Sequence, residues 1–364
     1  MSAASQLLRL ASTAGPLRAG KVVTGLVRMH WRYFAFGRGR GLATMLPMTT
    51  PMKIHVDPAS GCNFRCFFCP QTDPEALRHA GVKAGVMKLP MLQKLVDDLA
   101  SFPGQVDEFV FGNYGEPLLN KSIAEMVGYA AASGRIREVS LITNAAMLTH
   151  EKAQALVDAG LQKIRISVEA LSDEGYLKTT KTKTAFAEIV ENIRTLHRLS
   201  RGKTFIYVKI IDTGLSDVEK RRFFATFTPI ANAVSIENLM PITEEAATVV
   251  GENGKGMTGV SLSTGRSVCP SPFYSLSVHM DGDVGVCCSD WHHKTNVGSL
   301  KEQSLSEIWN GEELRRFRAD QLTKSWRQMP QCAGCEMVNH YPVYEDLDQD
   351  RDRLTPAYAN SCCA

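Results

Sequence analysis

Residues 52–70 read Met52-Lys53-Ile54-His55-Val56-Asp57-Pro58-Ala59-Ser60-Gly61-Cys62-Asn63-Phe64-Arg65-Cys66-Phe67-Phe68-Cys69-Pro70. An apolar, strand-like run opens the stretch, and Cys62, Cys66 and Cys69 follow it in C-x3-C-x2-C spacing. A fully ligated cluster of four irons takes four cysteine thiolates. Three so close together, with no fourth beside them, imply a cluster with one iron left open to a ligand. A structural zinc site or a disulfide framework is the competing reading. Zinc sites, however, close their tetrahedron with paired C-x2-C or histidine spacings, and the nearest downstream histidine is His79.

Outward from this stretch, 364 residues with 44% hydrophobic content and a formal charge of +3 describe a globular chain larger than one average domain. No run approaches the ~18 to 20 continuous apolar residues of a membrane span. The ten cysteines cluster, at 62, 66 and 69, at 269, 287 and 288, at 332 and 335, and at 362 and 363. Clustering favours metal over disulfides. The first 56 residues hold eight Lys or Arg and no acid, which leaves the remainder near −5. This extension reads first as an arm packed on the rest of the chain. Its Leu7, Leu8, Leu10, Leu17, Val22, Val23, Leu26, Val27 and Trp31 also allow basic amphipathic helices in peripheral contact with an anionic membrane. A transit peptide is the third reading, and no secretory h-region is present.

From residue 52, β-rich apolar runs alternate with helical patterns, the signature of a parallel sheet built from βα units. Strands are expected at Met52 to Val56, Glu108 to Gly112, Glu138 to Ile142, Lys163 to Val168, Phe205 to Ile211 and Ala233 to Asn238. Apolar stripes after Pro90, from Ile123, between Thr149 and Gly160, and from Phe186 mark helices. Six such units make an α/β fold, a partial (β/α)6 barrel, with chemistry at the carboxyl ends of its strands. The division expected is a basic extension over 1–51, the barrel over 52–245, a linker over 246–264, a small second-cluster domain over 265–345 and a tail over 346–364.

The triplet, with Phe68 just before its last cysteine, resembles the radical S-adenosylmethionine (SAM) superfamily, whose members chelate SAM at the open iron of a [4Fe–4S] cluster. The resemblance covers roughly residues 52–245. It implies that Cys62, Cys66 and Cys69 bind the cluster and that Phe68 lies near the adenine. Tyr114-Gly115-Glu116-Pro117 resembles the family's Gly-Gly-Glu motif, with Tyr114 in place of the first glycine, and implies that Gly115 and Glu116 bind the methionyl amino group. Thr143-Asn144-Ala145 resembles a Thr-Asn-Gly segment and Ser167-Val168-Glu169 a Ser-x-Glu segment, so Asn144 and Ser167 are expected at the ribose and carboxylate of SAM. The usual Ile-Arg-Gly segment is replaced by Leu177-Lys178-Thr179-Thr180-Lys181-Thr182-Lys183, and its arginine has no counterpart. Lys209, Asp212, Glu237 and Asn238 stand near strand ends as candidate substrate-facing groups.

Downstream, Cys269, Cys287, Cys332 and Cys335 form C-x17-C-x44-C-x2-C. Four thiolates can close a cluster completely, and they ligate zinc equally well. Alternation around Asp281-Gly282 signals a hairpin between the first two, and Leu305, Ile308, Trp309, Leu314 and Phe317 signal a helical segment ahead of the last pair. Cys288 is an alternative to Cys287, and Cys362 and Cys363 read as a tail. The arrangement resembles the auxiliary [4Fe–4S] cluster domains of radical SAM enzymes, the shortened "twitch" form more than full SPASM, and most of all those of dehydrogenases acting on aminocyclitol alcohols.

The resemblance implies a radical SAM enzyme of oxidoreductase type: SAM is cleaved reductively to a 5′-deoxyadenosyl radical, hydrogen is abstracted from substrate, and an electron passes to the auxiliary cluster. A small-molecule substrate, a polyol, sugar or cyclitol, is favoured over a peptide, because the extension is too short and strand-poor for a leader-binding domain. A cellular donor such as flavodoxin or ferredoxin and a cytoplasmic, reducing location are expected. The rival from another class is a non-enzymatic metal-binding or electron-transfer protein. Nucleic-acid binding rests on the basic extension alone and is disfavoured.

Overall fold

The computed structural model describes residues 41–240, 246, 248, 265–333, 335, 337–341 and 345–359. The strands expected from the pattern form: β1 Lys53–Val56, β2 Val106–Phe111, β3 Ile136–Thr143, β4 Lys163–Val168, β5 Phe205–Asp212 and β6 Ala233–Asn238. All pair in parallel with their sequence neighbours. Helices Leu89–Asp98, Ile123–Ala132, His150–Asp158, Phe186–Ser200 and Asp217–Phe227 connect them, with one face of the strands sealed by Ile54, Phe109, Leu141, Ile164 and Val208. Thr149 caps its helix through Lys152 N, and Ser216 and Glu219 form a reciprocal capping box.

The sheet does not stop at the barrel. β7 (Ser275–Val278), β8 (Asp283–Gly285) and β9 (Asn296–Ser299) continue it in the order β6-β5-β4-β3-β2-β1-β7-β8-β9. The expected hairpin about Asp281-Gly282 is present, with Gly282 at φ 91°. β7 lies parallel to β1 and closes its second edge, with Asp57 N donating to Val278 O at 2.9 Å. The second cysteine region is thus a continuation of the barrel's own sheet.

Two local features differ from the sequence pattern. The helical segment at Leu305 is two helices, Leu305–Asn310 and Glu312–Lys324, broken where Gly311 leaves the helical region. Residues within the expected tail fold as a helix, Arg351–Ala359, whose Leu354 and Tyr358 pack with Leu42, Leu46, Val268 and Phe273 in a second apolar cluster. Leu42 and Ala43, from the end of the basic extension, are buried there as well. Residues 1–40 and Cys362 and Cys363 lie outside the described residues.

Trp309 ties these layers together. It is 1% exposed, donates its indole N–H to Met48 O at 3.2 Å and carries the Arg318 guanidinium 4.0 Å above its ring. Trp309→Ala is expected to destabilise the fold by about 3–5 kcal/mol, measurable as a lowered denaturant midpoint.

Candidate active site

The loop after β1 carries the cysteine triplet across the carboxyl ends of the strands. Arg65 N and Phe67 N donate to Thr180 O and Thr179 O, at 2.8 and 3.1 Å, which hooks the loop to helix Asp173–Thr180. Asn144 Nδ2 donates to Asn63 Oδ1 at 2.8 Å and reaches Cys62 Sγ at 3.7 Å. Cys66 is buried and its two companions are half-buried. Burial pushes the Cys62 thiol up to about 12 and Cys69 up to about 11, and Cys66 is raised further by the same cause and by its neighbours' charges. The free thiols therefore stay protonated at neutral pH, and metal ligation must displace their protons.

Gly115 is where the strand-end loops meet. At φ 69°, it presses so close to the triplet loop that a Cβ there would lie 2.2 Å from Ala59 O and 2.6 Å from Gly61 O. Its N–H donates to Gln71 Oε1, and Glu116 N donates to Gly61 O at 2.8 Å. Glu116 is buried beneath. Its Oε1 accepts from Thr143 Oγ1 at 2.7 Å and Leu118 N at 3.0 Å, and its Oε2 from Asn144 N at 2.9 Å. Burial raises its pKa against these bonds. A carboxylate offers about four lone-pair sites, so one on Oε2 is left. Phe68 packs edge-on to Phe67, ring centroids 5.2 Å apart, and Ser167 stands opposite Lys209 in register.

Below the triplet the lumen is filled by paired charges where branched apolar side chains usually stack. Lys53 and Lys163 each lie 3.0 Å from Glu108, and Lys163 3.4 Å from Glu138. Above them Glu237 accepts from Arg165 at 2.9 and 3.1 Å and Tyr207 Oη at 2.9 Å, with Lys209 Nζ at 3.2 Å. Burial pushes Glu237 up, but Arg165 and Lys209 more than reverse it and hold the carboxyl at about 2. A carboxyl lowered in the fold stabilises it fully above its ordinary 4.5 and loses that contribution as pH falls towards about 2. Glu237→Gln is expected to cost about 3–5 kcal/mol at neutral pH by stranding the buried Lys209 and the half-buried Arg165, with the gap from wild type closing as denaturation is followed from pH 5 down to 2. Asp212 instead pairs with the half-exposed Lys220 at 2.7 Å, outside this network.

Cys269, Cys287, Cys332 and Cys335 converge on one cavity of about 280 Å3, whose wall also includes Met240, Trp291, Lys294 and Trp326. Cys288 is not among the lining residues; its carbonyl accepts from Asn113 Nδ2 at 2.9 Å. The four thiols surround a space rather than a point. Tetrahedral zinc needs sulfurs about 3.8 Å apart by its bond lengths, and among the described residues no group of three or more Cys, His, Asp or Glu closes to a single-ion site. Burial pushes Cys332 up to about 12 and raises Cys269 and Cys287 further.

Gln321, which spacing gave no reason to single out, serves this second site. It is fully buried on helix Glu312–Lys324, accepts from Cys269 N at 3.1 Å and points its amide at Cys332 Sγ, 3.8 Å away. The only signal in the sequence is a polar residue on that helix's apolar side, between Phe317 and Leu322. The seam between the two sites was equally illegible. Asp57 Oδ1 accepts from Tyr114 N at 3.0 Å, and its Oδ2 lies 3.0 Å from His279 Nδ1. His279 stacks on His293 at 3.5 Å, and Tyr114 packs against Trp291 at 4.7 Å. The tyrosine that replaces a motif glycine is thus an aromatic contact with the second cysteine region.

Residues 56–224 match the radical SAM superfamily model, and residues 269–336 match that of the SPASM iron–sulfur cluster-binding domain. The chain belongs to the radical SAM superfamily. Its cofactors are a SAM-binding [4Fe–4S] cluster, auxiliary iron–sulfur and SAM. Among curated relatives of this radical SAM chain is the tungsten-containing aldehyde ferredoxin oxidoreductase cofactor-modifying protein of Pyrococcus furiosus, 23% identical over 82% of this chain and 90% of that protein. The S-adenosyl-L-methionine-dependent 2-deoxy-scyllo-inosamine dehydrogenase of Niallia circulans is 23% identical over 79% and 93%. The fold is shared with Streptococcus suis SuiB bound to precursor peptide SuiA, at TM-score 0.58 and 10% identity, over 81% of this chain and 72% of that one. Among the described residues no helix is long and apolar enough to cross a membrane.

Proposed function

We propose that this radical SAM enzyme oxidises a hydroxyl-bearing carbon of a small polyol, sugar or cyclitol, with the second cluster as electron acceptor. The observation that carries the reading is the convergence of Cys269, Cys287, Cys332 and Cys335 on one cavity that Met240, just past the last barrel strand, helps to wall. Four thiols can ligate a four-iron cluster fully and leave no open corner, which suits electron transfer rather than substrate chelation. The similarity to an inosamine dehydrogenase over most of both chains points the same way.

In this reading Cys62, Cys66 and Cys69 hold the SAM-binding cluster. When bound, cluster and SAM supply a 5′-deoxyadenosyl radical that removes a hydrogen atom from carbon. Phe68 flanks the adenine, and Asn144 and Ser167 meet the polar edge of SAM. Asn144 is aimed by its bonds to Asn63 and Glu116. Glu116 offers its remaining Oε2 lone pair to the methionyl ammonium, and Gly115, having no side chain, lets the triplet loop lie against this strand end so that cluster and carboxylate meet one SAM molecule. Tyr114, Asp57 and His279 hold the Cys287 loop against the strand ends. The barrel is residues 52–245 and the auxiliary region 265–345. A flavodoxin or ferredoxin supplies electrons, and a reducing compartment such as the cytoplasm keeps the eight described cysteines free of disulfides.

The test is anaerobic reconstitution, dithionite reduction and incubation with SAM and panels of cyclitols, sugars and short peptides. Polyol-stimulated 5′-deoxyadenosine, with a product two hydrogens lighter, is the expected result. Stimulation by peptides alone, or zinc in the second site, sinks the reading.

A further inference from the structure

Gln321 grips the second site from two sides. It is fully buried on the inner face of the helix Glu312–Lys324, among Leu314, Phe317 and Leu322. Its Oε1 accepts from Cys269 N at 3.1 Å. Its Nε2 donates to Met329 Sδ at 3.1 Å and to Cys332 Sγ at 3.8 Å. One amide thus ties together Cys269 and Cys332, the first and third cysteines of the set, and spends both of its N–H groups on sulfur.

Sulfur is a poor choice of acceptor for a buried amide unless it carries charge. A thioether and a neutral thiol both accept weakly, and a buried N–H with a poor partner is costly. A metal-bound Cys332 is a thiolate, and a hydrogen bond to an anionic acceptor is roughly twice as strong as a neutral one. The surroundings sharpen the difference, since Phe317, Trp326 and Val338 are buried and help to wall the same cavity. Cys287 Sγ also accepts a hydrogen bond, from Ser289 N at 3.2 Å, but that donor belongs to the backbone. The contact from Gln321 is a side chain's, placed where the fold can set its strength.

We propose that Gln321 is a positioning residue that raises the reduction potential of the second cluster through its N–H bond to Cys332. An added electron enlarges the negative charge on the cluster's sulfurs, so a donor fixed at one of them stabilises the reduced form more than the oxidised one. This rests on the reading of the second cluster as electron acceptor and deepens it. The substrate radical left by hydrogen abstraction gives one electron to the cluster and its hydroxyl proton to solvent, and closes to a carbonyl. A raised potential draws that electron away from the substrate.

Reductive titration of the reconstituted holoenzyme, followed by electron paramagnetic resonance, measures both potentials. Added SAM, which binds at the open iron, marks the signal of the first cluster and separates the two. Gln321→Met removes the amide at similar volume. It is expected to make reduction of the second cluster about tenfold less favourable, or about 59 mV lower for a one-electron couple, with the first cluster unmoved. Gln321→Asn, whose amide sits one methylene further back, is expected to shift in the same direction, which keeps the potential readable where Gln321→Met does not fold. Phe317→Leu changes packing in the same wall without touching a donor and is expected to leave the potential in place. An unchanged potential in the Gln321 variants overturns the proposal, as does an equal drop in Phe317→Leu. Loss of the second cluster from both Gln321 variants makes the amide a structural clamp alone and overturns it too. A lowered potential in an enzyme that oxidises no polyol supports the proposal and removes the electron-acceptor reading; polyol oxidation with an unchanged potential does the reverse.

Discussion

Replacing Cys62, Cys66 and Cys69 together by alanine is expected to abolish 5′-deoxyadenosine formation and to halve the iron, from about eight per chain to about four. The reason lies in how separately the two sets of thiols are built. The triplet hangs on one loop, fixed by Thr179, Thr180 and Asn144. The other four line a cavity framed by the helix Glu312–Lys324, the segment that follows β8 from Val286 and the segment at Cys332. Among the described residues, and apart from the seam at Tyr114 and Asp57, the two share no thiol contact that would make one depend on the other. Iron and sulfide analysis with electron paramagnetic resonance of the reduced protein reads the result directly. Loss of all iron would show that the second site forms only on the first.

Gly115→Ala is expected to have nearly the same effect without touching a thiol. Two penalties act there. A left-handed residue with a Cβ costs about 1–2 kcal/mol, and the new atom would sit 2.2 Å from Ala59 O, a backbone contact no side-chain rotation relieves. The loop bearing Cys62 must therefore move, with loss of the first cluster and of SAM binding. Gly134→Ala is the control: its φ is +66°, it has nothing within 4 Å of the added atom, and it should retain both clusters while losing only the backbone term. Equal behaviour of the two variants would place the whole effect in the backbone angle.

Much of this was legible in the residues. β4 and β6 lie where the pattern places them, and β4 shows why: Ile164, Ile166 and Val168 alternate with Lys163, Arg165 and Ser167, so one face of the strand is apolar and buried and the other is polar. The grouping of the cysteines was equally plain from their spacing, and the structure brings Cys269, Cys287, Cys332 and Cys335 to one cavity. What stayed hidden depends on long-range packing. β9, with Gly298 at its centre, has almost no strand composition and forms because β8 offers it an edge. The helix Arg351–Ala359 contains Pro356 and few apolar residues, and its place is set by Phe273 and Leu42, both far from it in sequence. Glu116 could be recognised from its motif, but its burial beneath three donors follows from how three strand ends meet.

The pairing of β1 with β7 has a consequence for how the chain is made. Lys53 aligns with Ser275, and Asp57 meets His279 across 222 positions of sequence. At a synthesis rate of about 5–20 residues per second, the first strand emerges roughly 10 to 45 seconds before the strand that covers its outer edge. During that interval the nascent barrel presents an open row of amides and carbonyls, the template on which strands of other chains add. A fragment ending at residue 264 would keep that edge open permanently, so the barrel is best produced with its last hundred residues attached.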